Sequence, residues 1–459
     1  MSGEDKLLLE QEFKRHQCEL NKSFLGYLES GADPLAIQLP AALDYEFYSN
    51  AIASRYGHKV RGTGVFSFGT GDCGQLGHGI SDPPKDDEVI MPLAKKIASL
   101  KSEMRILTSG GLSNAVCTPQ GVLTWGCNDG EALGRDGDEN LPAPIHFPIK
   151  IVVVGLALGD SHGSAVSLGG QAFLWGSYRD KEGKQWFPEL TGSGKLTGPG
   201  ASGKTPQLVP SLSNLTKVCS GANHTVFLDG QGQVFSCGLG EQYQLGRGNI
   251  TVNLKDKDEE YILELVHGEH LQPQKVPLDF FCIQIGCGQY HTLLVSQDLQ
   301  VFGCGLNQYR QVCPRDEAMI KQLVHIPSLD GLQITEVGGG EHFSYACSAR
   351  SGMYTWGRSD QNQLGRQVSS QVAGAWEEVP QSVQDLPKDI KQVSCGSSHA
   401  IVCTKQGKVY TWGFGESYQL GHGDTQDEPT PKLVTKLQNQ HAIQVSAGGQ
   451  HCCVLVDLE

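Results

Sequence analysis

The stretch Phe68-Gly69-Thr70-Gly71-Asp72-Cys73-Gly74-Gln75-Leu76-Gly77 decides the fold, because variants of it recur along most of the chain. A typical variant opens on an aromatic residue followed by Gly and ends on Gln-Leu-Gly. The other copies occupy residues 125–134, 238–246, 302–312, 356–365 and 412–421. A further copy starts correctly at Trp175-Gly176 and then changes to Ser177-Tyr178-Arg179-Asp180. Such a repeat indicates an architecture of similar units before any single residue is interpreted.

A second phrase, Gly-x-x-His followed by a short apolar segment, recurs in step with the first. Its copies end at His162, His224, His291, His342, His399 and His451, and Ser113 takes that place in the remaining copy. A Gly-containing turn between two apolar runs follows, as in residues 228–235 and 404–412. This pattern is typical of a β-hairpin. Each unit is therefore predicted to contain a few antiparallel strands, with neighbouring copies about 50 to 65 residues apart.

All-β units of this length do not bury a core one by one, but they do so when they are stacked radially as the blades of a propeller. We therefore predict an all-β fold in which residues 63–459 form a seven-bladed β-propeller. Tandem separate β-domains are the alternative, and the lack of linker-like composition between the copies disfavours it. The repeated Gly residues are expected in tight turns. The repeated His residues are expected to bond a backbone group between blades rather than to perform chemistry.

Residues 1–62 lie outside the repeat and are predicted to form a partly helical extension. Apolar residues from Leu7 to Leu28 are spaced as one face of a helix, and Gly31 with Pro34 ends the run. Two other segments interrupt the rhythm, Lys181–Lys204 and the acidic Asn253–Gln274. Both are predicted to be long loops that project from blades, where functional residues are often found.

The composition is that of an ordinary globular protein with an excess of acid. The formal net charge is −14 and hydrophobic residues make up 39% of the chain. No apolar run reaches the roughly 18 residues that a membrane helix needs, so no membrane association is expected. The chain has 15 Cys residues without a CxxC pair, which favours reduced thiols in the cytosol or nucleus.

Motifs for enzyme chemistry do not hold up. Residues 198–205 match GxxxxGK[ST], but a phosphate-binding loop needs a strand before it and a helix after it. The upstream residues do not resemble a strand, and Pro206–Pro210 resembles a blade strand. Asp160-Ser161-His162 cannot form a catalytic triad, because a triad is assembled across space. We therefore expect no catalytic residue, no metal and no cofactor.

The phrases resemble those of the regulator of chromosome condensation family, seven-bladed propellers that include the guanine-nucleotide exchange factor for the GTPase Ran. The resemblance covers residues 62–459. It is narrowed by residues 173–183, Phe-Leu-Trp-Gly-Ser-Tyr-Arg-Asp-Lys-Glu-Gly, which are similar to the exchange factor's Trp-Gly-Ser-aromatic-Arg-Asp-x-x-Gly segment. In the family that segment is a β-wedge that enters the GTPase near its nucleotide. The resemblance implies exchange on a Ran-type small GTPase without covalent chemistry.

The resemblance also implies a set of GTPase-facing residues. They are Asp72, Asp160, Tyr178, Arg179, Asp180, Asn223, Arg247, Glu341 and His451. Two of them depart from the family pattern: Asn223 stands where the family has Asp, and Glu341 where it has a His before the fifth blade's His position. Asn keeps the capacity to hydrogen-bond but loses the charge.

Two other functions remain open from the sequence. A propeller scaffold for protein–protein interaction is favoured by the departures at Asn223 and Glu341 and disfavoured by the wedge segment. A nucleosome or histone partner also follows from the resemblance, although the acidic charge disfavours binding to DNA phosphate. The resemblance implies a nuclear protein, with the cytoplasm as an alternative location, and we expect a monomer.

Overall fold

The fold is a ring of seven four-stranded antiparallel sheets with one additional two-stranded hairpin. The computed structural model describes residues 62–80, 85, 89–187, 203–248, 269–348 and 350–458. The predicted seven-bladed β-propeller is confirmed. The predicted helical extension lies, apart from Gly62, outside the described residues, as do large parts of the two predicted projecting loops.

The blades follow one another in chain order. The described chain opens with β1 (Thr63–Thr70) and β2 (Ile90–Lys96), which belong to the last blade. Blade 1 consists of β3 (Leu107–Ser109), β4 (Ser113–Thr118), β5 (Gly121–Gly126) and β6 (Ala143–Pro144). Blade 2 contains β7 (Val153–Leu158), β8 (His162–Ser167) and β9 (Ala172–Gly176), then the separate hairpin of β10 (Tyr178–Arg179) and β11 (Gln185–Trp186), and finally β12 (Gln207–Val209).

The remaining blades are more regular. Blade 3 has β13 (Leu215–Ser220), β14 (His224–Asp229), β15 (Val234–Gly238) and β16 (Gln274–Lys275), and blade 4 has β17 (Cys282–Cys287), β18 (His291–Ser296), β19 (Val301–Leu306) and β20 (Met319–His325). Blade 5 has β21 (Ile334–Gly339), β22 (Phe343–Ser348), β23 (Gly352–Arg358) and β24 (Trp376–Ser382), and blade 6 has β25 (Ile390–Cys395), β26 (His399–Thr404), β27 (Val409–Gly413) and β28 (Glu428–Leu433). Blade 7 joins β29 (His441–Ala447) and β30 (His451–Asp457) to β1 and β2. Short 3₁₀ helices span Asp129–Glu131, Pro327–Leu329 and Thr435–Leu437.

Blade 7 closes the ring by pairing distant parts of the chain. Strand β1 runs antiparallel to β30, with the register from Thr63 opposite Asp457 to Gly69 opposite His451. Closure of this kind leaves only short, protected sheet edges. In every blade we call the strands A to D from the channel outward.

The hydrophobic core lies between blades rather than within them. One cluster joins Val65 and Leu455 of blade 7 to Trp125 of blade 1. The next joins Ala115 of blade 1 to Trp175 of blade 2. Each sheet therefore buries its apolar side chains only when both neighbours are present, as expected from the shortness of the units.

Buried His residues link successive blades through side chains. In each contact a B-strand His uses Nε2 to bond the side chain of the second B-strand residue in the next blade. The pairs are His162–Thr225 (3.0 Å), His224–Thr292 (3.0 Å), His291–Ser344 (2.7 Å), His399–Cys452 (3.3 Å) and His451–Asn114 (2.9 Å). The predicted structural role is therefore seen, but the partner is a side chain, whereas a backbone group was expected.

The Gly of the Gly-x-x-His phrase is required by the same contact. The ring of each His packs over this Gly, so that a methyl group on Gly159 would overlap the ring of His162. The Gly backbone also bonds the His across the turn, with Gly159 N donating to His162 O at 2.9 Å. The phrase is thus a compact turn whose Gly makes room for an imidazole.

The register corrects the sequence assignment in blades 4 and 5. Strand β22 starts at Phe343, and Gly340 N donates to Phe343 O as Gly288 N does to His291 O. The B-strand position of blade 5 is therefore Phe343, and the assignment to His342 was wrong by one residue. In blade 4, Gly305 pairs with His291 and has φ +110°, so the first phrase begins at Cys304-Gly305, not at Phe302-Gly303.

Candidate functional site

The predicted GTPase-facing residues all lie on one face of the ring. Because successive strands of a blade are antiparallel, the A–B and C–D loops emerge on one face and the B–C and D–A loops on the other. The A–B turns and B-strand starts supply Asp160, Asn223, Glu341 and His451, and the C–D connections supply Asp72, Tyr178, Arg179, Asp180 and Arg247. The topology therefore brings residues from four blades onto a shared surface, which we call the candidate face.

The C–D connection of blade 2 forms the hairpin of β10 and β11, which we call the wedge (residues 178–186). Asp180 holds its turn through three hydrogen bonds. Its Oδ1 accepts the backbone N–H groups of Glu182 (3.0 Å) and Lys184 (2.9 Å), and its Oδ2 accepts the indole N–H of Trp186 (2.8 Å). The tip residues 181–184 are exposed. Asp180 thus shapes the wedge from inside, and the tip presents the surface.

Tyr178 anchors the base of the wedge in the core. Its side chain is 1% exposed, and its ring packs against that of His162, with centroids 4.3 Å apart and planes tilted by 33°. Its hydroxyl lies 3.2 Å from Thr225 Oγ1 in blade 3. Because the Tyr178 side chain is buried, it can serve the predicted GTPase contact only by holding the wedge in place, and that contact stays a prediction.

Blade 3 fixes the wedge from the neighbouring side. The Asn223 side-chain oxygen accepts the backbone N–H of Arg179 at 2.8 Å. Glu241 Oε2 accepts the backbone N–H of Lys181 at 2.9 Å. Since an Asp carboxylate accepts the same bond, Asn223 preserves the support that the family's Asp would give and removes only its charge.

A carboxylate pair flanks the guanidinium of Arg179. Its Nη2 lies 3.6 Å from Asp129 Oδ2. Asp160 is accessible at the mouth of the central channel, but the surrounding blades reduce its hydration and raise its pKa, and Glu341 adds to the effect while Arg179 opposes it. Asp72 is exposed on the same face.

A second cluster surrounds the blade 5 turn. Glu341 Oε1 lies 3.3 Å from His342 Nε2, and this hydrogen bond lowers the pKa of the Glu341 carboxyl. The His342 and Tyr309 ring centroids are 4.9 Å apart, and the Arg358 guanidinium lies over the Tyr309 ring, 5.2 Å from its centroid. With the corrected register, the residue directly before the blade 5 position is His342. His342 therefore occupies the position where the family has a His, and the departure expected at Glu341 is absent.

The outer rim of this face carries an exposed aromatic residue that the sequence analysis missed. Trp376, at the start of β24, is 46% exposed, and Val372 before it is 74% exposed. The Arg310 guanidinium lies 5.7 Å from the Trp376 ring. Exposed Trp with Arg is typical of binding hot spots. The signal in the sequence is the apolar run Val372-Ala373-Gly374-Ala375-Trp376 in an otherwise polar connection.

Arg247 and His451 have internal partners. Three backbone carbonyls, those of Glu269, His270 and Gln272, accept hydrogen bonds from Arg247 at 3.2, 2.8 and 3.3 Å, and burial lowers its pKa to about 10. Arg366 bonds the backbone in the same way in blade 5. His451 is 0% exposed. The His451 side chain therefore supports the boundary between blades 7 and 1, and Arg247 bonds the backbone at the end of its own C–D connection. Contact of either residue with a GTPase stays a prediction.

The channel at the ring centre is lined by the A strands and holds a cavity of about 300 Å³. Backbone bonds join the A–B turns around its mouth, among them Asp160 N to Ala222 O (3.0 Å) and Glu341 N to Ser397 O (3.1 Å). Burial, together with Asp160 and Glu341, raises the pKa of Tyr290 beside the mouth to about 12. The candidate face therefore has a rigid centre.

The described part of the GxxxxGK[ST] match, residues 203–205, has a structural role. Gly203 O accepts the Gly176 N–H at 2.7 Å, and Lys204 Nζ lies 2.7 Å from Asp136 Oδ1. The predicted blade strand then follows as β12. Within the described ranges, no group of three His, Cys, Asp or Glu side chains is arranged to hold a metal. No helix in that part of the chain is long and apolar enough to cross a membrane.

Comparisons with known proteins cover nearly the whole propeller. The family model of the RCC1-like domain matches residues 64–454. The regulator of chromosome condensation of Mus musculus is 31% identical over 85% of this chain and 90% of its own length. The guanine nucleotide exchange factor SRM1 of Saccharomyces cerevisiae is 29% identical over 84% of this chain and 86% of its own. The structure of yeast Prp20p, reported with its binding to Gsp1p and histones, is 28% identical with a TM-score of 0.75 over 87% of this chain and 93% of that one.

Proposed function

The chain belongs to the family of RCC1-like-domain propellers, and from this premise we propose that it is a guanine-nucleotide exchange factor for a Ran-type small GTPase. The observation that carries the proposal is the wedge. One C–D connection leaves the repeat and is held by Tyr178, Asp180 and Asn223, while its tip remains exposed. Named relatives include an exchange factor of similar length.

The mechanism requires differential binding and no covalent step. A protein that binds the nucleotide-free GTPase more tightly than the loaded one lowers nucleotide affinity by the same factor. Each tenfold weakening needs about 1.4 kcal/mol of differential contact. A pre-shaped hairpin supplies such contact without an ordering cost at the moment of binding. The wedge enters near the nucleotide, and the rest of the candidate face positions the GTPase.

Charge on this face supports a partner with a basic surface. Asp129 and Asp160 lie near Arg179 of the wedge, Glu341 of blade 5 acts electrostatically on Asp160, and Asp72 is exposed on the same face in blade 7. Opposite charges speed the encounter and fix its orientation more than they add affinity. We therefore expect association with the GTPase to slow as salt increases.

Release of a fluorescent GDP analogue from a purified Ran-type GTPase tests the proposal. Catalytic amounts of the protein should accelerate release at least about 100-fold, equivalent to about 2.7 kcal/mol, and should leave a Ras-type GTPase unaffected. Binding of the GTPase without accelerated release would refute exchange and support the alternative of a scaffold, which the family also accommodates.

We extend the proposal to a nuclear location and a histone partner, by analogy with the Prp20p relative. The net charge of −14 favours basic histones over DNA phosphate. At physiological salt, the monomeric protein should bind purified core histones and not naked DNA in sedimentation and gel-shift assays. Binding to DNA alone would contradict this.

A further inference from the structure

Two thiols face each other across the boundary of blades 3 and 4. Cys219 on β13 and Cys287 on β17 place their Sγ atoms 3.1 Å apart. Both side chains are half-buried, and both residues line the central channel. Their A strands are neighbours in the ring, so that the pair spans a boundary where the described backbone also bonds, Ala222 N to Gln289 O at 2.9 Å.

The channel decides which reagents reach this pair. Its cavity of about 300 Å³ has room for small molecules such as water and hydrogen peroxide, whereas a protein disulfide donor cannot enter it. Cys395 of blade 6 lines the same channel. Cys237 of blade 3 and Cys282 of blade 4 are fully buried. These three cysteines therefore serve as internal controls for access and proximity.

We propose that Cys219 and Cys287 are an oxidation site for hydrogen peroxide, at which they form a disulfide that links blade 3 to blade 4. In the first step the Cys219 thiolate attacks one peroxide oxygen, the O–O bond breaks, and a sulfenic acid and water form after proton transfer. In the second step the Cys287 thiolate attacks the Cys219 sulfur, an S–S bond forms and the S–O bond breaks to release a second water. Two thiols lose two electrons in total, and one peroxide is reduced to two waters.

The surroundings assign the two roles. Burial, together with the neighbouring Cys219, raises the pKa of the Cys287 thiol, while His224 opposes the shift. Cys287 is therefore the poorer first nucleophile and serves as the thiol that resolves the sulfenic acid. The link lies just before the two A–B turns that hold Asn223 and Tyr290, so that it ties together two parts of the candidate face.

Mass spectrometry of the full chain tests the site. The protein is treated with a small excess of hydrogen peroxide, quenched with catalase, alkylated in denaturant and digested. The expected product is a crosslinked peptide joining Cys219 to Cys287, two hydrogens lighter than the separate peptides, which a phosphine reductant splits. The oxidised protein should also melt at a higher temperature.

Matched variants complete the test. Cys219→Ser and Cys287→Ser should each abolish the crosslink, while Cys395→Ser, Cys237→Ser and Cys282→Ser should retain it. The wild-type digest is informative even if a variant fails to fold. Complete alkylation of both thiols after peroxide, or oxidation of one to a sulfinic acid without a crosslink, would overturn the proposal.

Discussion

The C–D connections of blade 6 and blade 2 begin alike and have opposite uses. In blade 6, Gln419 and Leu420 satisfy their own loop and strand, with Leu420 O accepting the Thr411 hydroxyl at 2.7 Å and Gln419 Oε1 accepting the Ser417 N–H at 2.8 Å. The final Gly421 lies against the ring of Phe68 in blade 7. In blade 2, the chain leaves the sheet after Gly176, forms the wedge and returns at Gly203. The blade 6 connection packs against the core of the next blade, whereas the blade 2 connection exposes the tip of the wedge, residues 181–184.

This difference shows how one C–D connection can project from the propeller while the boundary between the two blades stays fully packed. At some boundaries the indole of the next blade bonds a carbonyl of the phrase, as Trp125 Nε1 bonds Gln75 O and Trp412 Nε1 bonds Gln363 O, both at 3.1 Å. Blade 2 lacks the phrase, and the next blade has Cys237 in place of Trp. The Tyr178 ring occupies the space, with its hydroxyl 3.7 Å from Cys237 Sγ. The base of the wedge therefore packs where a Trp of the next blade lies at other boundaries, such as that of Trp412.

The largest expected effect concerns this replacement. Tyr178→Ala should lower the free energy of unfolding by about 3–5 kcal/mol, because it empties a fully packed aromatic site. Tyr418→Ala, in the half-buried loop of blade 6, should cost less than about 1 kcal/mol. Denaturant unfolding of both variants measures the difference. Equal losses would contradict the role of Tyr178 as a core substitute.

Acid should reveal the His contact beneath the wedge. Burial, with His224 nearby, lowers the pKa of His162 to about 3. In the folded protein His162 therefore stays neutral, whereas in the unfolded chain it takes up a proton near pH 6.5. The contribution of His162 to the free energy of unfolding is complete above that pH and is lost as the pH falls towards 3. The loss is up to about 1.4 kcal/mol per pH unit.

The boundary between blades 5 and 6 lacks this His contact and therefore provides a natural pair of replacement residues for testing it. There Phe343 takes the place of the His, and its neighbour in blade 6 is Ala400. The double variant His162→Phe with Thr225→Ala copies that pair into blades 2 and 3. Between about pH 6 and 4, its unfolding free energy should depend less steeply on pH by one proton. An unchanged slope would show that His162 is not the group that titrates.

A smaller effect is expected inside the wedge. Asp180→Ala removes three hydrogen bonds that shape the exposed hairpin, so exchange should fall about tenfold, or about 1.4 kcal/mol. Stability should change by less than about 1 kcal/mol. Asp427→Ala in blade 6 removes a comparable loop bond, to Gly415 N at 2.8 Å, and should leave exchange within about threefold. The reverse pattern would place the exchange activity outside the wedge.

The smallest effect concerns the rim. Trp376→Ala should weaken binding of nucleotide-free GTPase about five- to tenfold, or about 1–1.4 kcal/mol. Phe281→Ala is the control, since Phe281 is 43% exposed but lies in a D–A loop on the opposite face. Calorimetric titration of both variants separates a hot spot from general loss of apolar surface. Equal affinities would remove Trp376 from the interface.

The seven-bladed architecture was predictable because the repeated phrases define the blades even where the start of a single strand is uncertain. The positions of individual strands were less so. In blade 5 the run Gly338-Gly339-Gly340 allows the turn to lead either to His342 or to Phe343, and the pairing of Phe343 with Gly357 selects Phe343. A one-residue difference changes which side chain is buried and which faces the surface.

Site residues were predictable as a set but not in their individual roles. The shared face follows from strand alternation alone. The burial of Tyr178 and His451 depends on contacts between adjacent blades, which no local pattern in either blade reveals. Trp376 lies outside both phrases, so that repeat analysis gave it no weight. Its exposure depends on how the connection before β24 folds back, where Asp360 accepts the Gly374 N–H at 2.6 Å.

Closure of the ring in blade 7 has a consequence for synthesis. Strands β1 and β2 leave the ribosome before the other described strands, yet their sheet partners β29 and β30 are translated after all of those strands. During elongation the growing array therefore carries an unpaired sheet edge at one end and an uncovered apolar blade at the other, features that promote aggregation. Nascent chains should depend on chaperones until the final hairpin emerges, and a ribosome stalled before residue 441 should hold a protease-sensitive, open array.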